Sequence, residues 1–143
     1  MVMTAVIALA LAAAQAPPPA STPESTASAF IDAFKAMDSA RFDSFFAPDA
    51  TMFFPGGPFP SGRVDGREAV LSVFHSFFAR AKTQGRTTLN IIPLDLRVDQ
   101  IGDVAIVTFR LDSTEDMGRR SVVLRKLGND WRIAHFHAST IDK

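Results

Sequence analysis

His135 and His137 stand two apart in the terminal run WRIAHFHAS, residues 131–139. Alternate residues of a strand share a face. Strict alternation therefore groups Trp131, Ile133, His135 and His137 against Arg132, Ala134, Phe136 and Ala138. Two imidazoles at this spacing can reach one metal ion, but a zinc site needs a third protein ligand. The remaining histidine, His75, lies in a separate helical stretch, so no metal is expected. One imidazole, His135, can act as a general base near neutral pH. Both can equally be polar residues at a sheet surface or a subunit interface. A second set is Arg110 with Thr108 and Asp112 in VTFRLD. A guanidinium held by a carboxylate can orient an anion; the same pair on a solvated face contributes little. The third candidate is Asp49 in APDAT, either an acid or base near a cavity mouth or a turn residue bonded to backbone amides.

Which of these act together depends on the elements that carry them. The chain has 143 residues, 47% hydrophobic, with 15 basic and 15 acidic side chains. That is enough for one domain with a core, and the balanced charge implies no basic face of the kind a nucleic-acid binder needs, so no nucleic-acid partner is expected. The N-terminal AVIALALAAAQA is too short for a membrane span and ends in Ala14-Gln15-Ala16, a signal-peptidase pattern, although no Lys or Arg precedes it. The expectation is a signal peptide over 1–16, a Pro-rich linker over 17–24 and one domain over 25–143. Without cysteine there is neither a disulfide framework nor a lipid-modified anchor. A soluble periplasmic or secreted protein follows.

Ser21 followed by Glu24 reads as a helix start, and Ala27, Phe30, Ile31, Phe34 and Met37 continue at helical spacing to about Asp38. SARFDSFFAPDA reads as a second short helix stopped by Pro48, and TMFF as a strand. PGGPFPSGRVDG is a loop, because its prolines and glycines oppose regular structure. A third helix spans about Arg67 to Ala81, with Val70, Phe74, Phe77 and Phe78 as its apolar stripe. The period then changes to two. LNIIPLDLRVDQ places Ile92, Leu94, Leu96 and Val98 on one side, and three more strands follow across short turns. Helices segregated from an antiparallel meander give an α+β domain, its helices on one face of a curved sheet around a cavity.

The element order, together with FFAPDATMFFPGG, GREAV and the terminal W-x-I-x-H-x-H-x-S, resembles the SnoaL-like branch of the nuclear-transport-factor-2-like superfamily over roughly residues 25–140. That resemblance implies a cone-shaped α+β fold of three N-terminal helices packed on a strongly curved antiparallel sheet. WRIAHFHAS and FRL also resemble the association domain of calcium/calmodulin-dependent kinase II, in which arginines line the cavity. This second likeness puts Arg110 at one such position, but Val122 and Ala138 at two others, and turns Phe136 and Ala138 rather than the histidines toward the cavity. Ketosteroid-isomerase relatives pair a tyrosine hydroxyl with a carboxylic acid; this chain has no tyrosine and cannot build that pair. Thirteen phenylalanines, Phe53, Phe54 and Phe59 among them, would line core and cavity.

Two functions remain open. One is an exported domain holding a small organic molecule in an apolar cavity, dimeric through its sheet. If it is an enzyme, it would do acid–base chemistry of the isomerase, cyclase or hydratase type, using Arg110 with Asp112, Asp49 or His135. The other is a non-catalytic homo-oligomeric association domain. No cofactor is called for.

Overall fold

The computed structural model describes residues 21–143. The expected leader, residues 1–16, and residues 17–20 of the expected linker lie outside the described residues. Helices α1 (Pro23–Ala36), α2 (Ser39–Asp43) and α3 (Arg67–Thr83) accompany strands β1 (Phe46–Phe53), β2 (Val64–Asp65), β3 (Leu94–Ile101), β4 (Val104–Asp112), β5 (Asp116–Leu127) and β6 (Asp130–Asp142). The strands form one curved, unclosed sheet in the order β2-β1-β6-β5-β4-β3. From β3 to β6 it is the expected antiparallel meander. One pairing adds to that expectation: β1 runs parallel to β6, so the sheet is mixed.

Helix α1 starts one residue later than Ser21 predicts. Thr22 is the cap: the Ser25 N–H donates to its hydroxyl (3.1 Å) and its own N–H donates to Ser25 Oγ (2.9 Å). Pro23 fills the first turn, where a missing N–H costs nothing. Ser21 instead ties the helix start to the β5–β6 turn, accepting from the Trp131 N–H at 3.2 Å.

Helix α2 ends at Asp43, five residues before the expected stop. The Phe45 carbonyl accepts from the Ile133 N–H (2.7 Å), and the chain enters β1 at Phe46. Proline is tolerated here because the β1–β6 register is interrupted between Phe46 and Thr51. The β3 alternation also breaks. Asp95 takes a left-handed φ of 52° and the β3–β4 register shifts between Leu94 and Arg97. Ile92, Leu94 and Leu96 are therefore exposed rather than sharing a buried side with Val98.

The helices cover one face of the sheet. Their phenylalanines converge on Phe42, whose ring centroid lies 5.2 Å from Phe30, 5.2 Å from Phe46, 4.8 Å from Phe74 and 5.3 Å from Phe78. Stacked, tilted and edge-on contacts of this kind add to the burial of the rings themselves. From the sheet side, Val107, Phe109, Val122, Leu124, Ile133 and Phe136 complete the core.

Candidate functional site

A β-bulge decides which face of β6 carries which side chain. The β5–β6 register pairs Val123 with His135 and Leu124 with Ile133, leaving Ala134 unpaired. One extra residue reverses the alternation. Trp131 and Ile133 point to the core before the bulge, and Phe136 and Ala138 point to it after. His135 and His137 do not share a face with Trp131 and Ile133, as strict alternation requires. They sit on the outer face, away from the helices.

On that outer face His135 Nδ1 lies 2.7 Å from Thr51 Oγ1. Phe53 packs beside both imidazoles, 6.0 Å from His135 and 5.6 Å from His137 between ring centroids. Partial burial holds the His135 pKa below its ordinary value, and the neighbouring His137 and Arg63 charges act in the same direction. His75 does not join the pair: its Nε2 is 2.8 Å from Asp43 Oδ1 on the helical side. Among the described residues no group of three His, Asp or Glu side chains converges as a metal set.

The other candidates also face outward. Phe109 and Leu111 line the inner side of β4. Arg110, between them, therefore points to the opposite face, and the expected cavity role does not fit its place. It ion-pairs there with Asp95 and, at 3.4 Å, with Asp112. Asp112 is also 3.5 Å from Lys143 Nζ. Asp49 lies on β1, where Arg125 Nη2 approaches its carboxylate at 2.8 Å and holds its pKa below the usual range. Asp49, Arg110, Asp112 and His135 are thus not assembled around one reacting centre.

The hollow lies on the inner face. A pocket of about 190 Å³ opens between α1, α3, the loop after β1 and strands β4 to β6. Phe34 and Phe74 form its helical wall, and Phe109, Phe136 and Ala138 its sheet wall. Of its fifteen lining residues only Arg120 has a polar side chain. Arg120 occupies β5 two residues before Val122, on the same inward face, paired with Phe109 on one side and Ala138 on the other. Its Nη1 donates to the Arg119 carbonyl (2.9 Å) and the Ser139 carbonyl (3.1 Å). No carboxylate lies within 4 Å of it among the described residues. Burial lowers its pKa from the ordinary guanidinium value, yet a guanidinium stays charged at any physiological pH.

Gly118 makes room for that group. A β-carbon there would stand 3.0 Å from Nη1 and 3.1 Å from Nη2 of Arg120, and 2.8 Å from the Leu111 carbonyl oxygen. Sequence reasoning missed Arg120, although a signal was present. In RRSVVLRKL, Arg120, Val122 and Leu124 alternate on one side, and the two apolar members mark that side as the core face.

Residues 24–143 match the SnoaL-like domain. The chain belongs to this family. Solved structures share its fold. One is assigned as a dehydratase of the NTF2-like family from Streptomyces avermitilis (TM-score 0.66, 20% identity, covering 81% of this chain and 91% of that one). An NTF2-like protein of unknown function from Pseudomonas putida superposes with a TM-score of 0.70 at 17% identity, covering 81% of this chain and 82% of its own. A third, assigned as a calcium/calmodulin-dependent protein kinase type II association domain from Thiobacillus denitrificans, gives 0.67 at 24% identity, over 87% of this chain and 99% of its own. No curated protein sequence matches the chain. At these identities the structural likeness fixes the cone fold of the SnoaL-like domain and leaves its activity to the site.

Proposed function

We propose that this SnoaL-like domain binds a small, largely apolar organic molecule in the pocket on the inner face of its sheet, as a binding module rather than an acid–base catalyst. The single observation that carries this reading is the pocket lining: fourteen apolar residues and Arg120. Isomerisation or dehydration by acid–base chemistry needs a group that takes up a proton near neutral pH. A guanidinium cannot serve, and the lining offers no carboxylate, imidazole or phenol. A hollow of this size suits one ring or a short branched chain, since an apolar void of about 150 Å³ already holds benzene. The leader-like N-terminus supports export, and no helix among the described residues is long and apolar enough to cross a membrane.

The test uses toluene as an apolar probe. Toluene should raise the unfolding midpoint of the wild-type protein, because a ligand that binds only the folded state stabilises it. Ala138→Leu, which fills the sheet wall, should abolish the shift while leaving the protein folded. No shift with wild type would overturn the reading.

Association is a second reading, and a particular surface favours it. The outer face of the sheet exposes Phe53, Ile101, Val104 and Ile106, an apolar set that a second copy of the chain would cover. Dimerisation through this face is compatible with ligand binding on the other.

A further inference from the structure

Arg120 is costly where it stands. A cation bordered by phenylalanines loses much of its hydration, and such groups persist when an opposite charge or hydrogen-bond acceptors compensate them. Two backbone carbonyls satisfy Nη1. The Nε–H and the two Nη2–H groups have no acceptor among the described residues, although neither nitrogen is sealed from solvent. The unspent edge of the guanidinium is therefore the Nε/Nη2 edge. Its two parallel N–H bonds match the two oxygens of a carboxylate.

The notch at Gly118 fixes that group further. It admits the guanidinium at a point where any larger side chain on β5 would meet it. One positive charge in apolar surroundings compensates one negative charge, which favours a monoanion over a phosphate dianion. The rest of the lining, Phe34, Phe54 and Phe74 among it, offers no other polar side chain.

Resting on the binding reading above, we propose that the ligand class is a small monocarboxylic acid whose carboxylate is held side-on by Nε and Nη2 of Arg120, with a ring or branched hydrocarbon body against the phenylalanine wall. Arg120 and the Gly118 notch then set specificity: the wall selects size, and the guanidinium selects the acid over its neutral analogue. No bond is made or broken.

Calorimetric titration with benzoate, toluene and inorganic phosphate tests this. Wild-type protein should bind benzoate more tightly than toluene. Arg120→Met, which keeps an apolar stem and removes the charge, should weaken benzoate binding about tenfold to a hundredfold, in the range expected for a lost charge-assisted hydrogen-bond pair. Toluene binding should stay within about twofold, which also shows that the variant folds and keeps its pocket. Arg120→Lys should fall between, because a point charge replaces the fork. The proposal is overturned if benzoate and toluene bind equally to wild type, if Arg120→Met leaves benzoate unaffected, or if phosphate displaces benzoate. If toluene and benzoate both fail to bind wild type, the pocket reading fails together with it; if toluene alone binds, the pocket stands and the carboxylate assignment falls.

Discussion

His135 connects the outer face to pH. Its ring is partly buried, shares a short contact with Thr51, and has His137 and Arg63 as charged or chargeable neighbours. The burial first, and then the His137 and Arg63 charges, disfavour the imidazolium, so the folded-state pKa lies below the unfolded value near 6.5. In the sign convention of linkage, the unfolded chain binds more protons than the folded one as pH falls through this range, so stability falls with it. The unfolding midpoint should therefore drop between about pH 7.5 and about pH 5.5. His135→Asn keeps a polar atom near the Nδ1 position and should flatten that part of the profile. An identical pH dependence in the variant would show that His135 does not titrate as described. At this scale the sequence disclosed which residues were polar and unusual, but not which way they pointed. Arg110 and Arg120 are both strand arginines, Arg110 between Phe109 and Leu111 and Arg120 between Arg119 and Ser121. They differ by the parity of their strands against the core, and Arg110 points out because Phe109 and Leu111 point in.

That parity is a property of elements, and β6 shows how a single residue resets it. Without the bulge at Ala134, either Trp131 and Ile133 or Phe136 and Ala138 would have to leave the core, since a one-residue slip moves a whole set of side chains to the other face. Deleting Ala134 should therefore cost far more than a typical surface change. Trp131, 3% exposed and the only tryptophan, reports the result. Its emission should shift to the red and the cooperative unfolding transition should weaken, whereas Ala134→Gly should retain both. Unchanged emission in the deletion would mean that the register adapts elsewhere at little cost. Helices and the meander were legible because their periodicities and turn residues are local signals. The bulge, the left-handed Asp95 and the β1–β6 parallel pairing were not, because each answers to a partner strand distant in sequence. The SnoaL-like resemblance reached the same fold by a different route, through the order of elements and motifs.

For the whole molecule the two faces of the sheet divide the work. The inner face is spent on the phenylalanine core and the pocket, leaving no surface for a partner. The outer face carries ion pairs along β3 and β4, Arg97 with Asp99 and Arg110 with Asp95 and Asp112, around an apolar centre. Ile106 belongs to that centre, aligned across the sheet with Val123 and His135, and it is 39% exposed. A two-fold contact would bury the same patch on both copies, and a stable one needs on the order of 800 Å² from each. Sedimentation velocity of the wild-type protein should then give the mass of a dimer. Ile106→Glu places a charge at the centre of the contact and should give a monomer, because burying an unpaired carboxylate is costly. The monomer should still bind toluene, since Ile106 and the pocket lie on opposite faces of one sheet. A wild-type monomer at tens of micromolar would remove the association reading. A variant that dissociates and also loses the pocket would show that the two faces are mechanically one, with the outer contact holding the curvature on which the inner hollow depends.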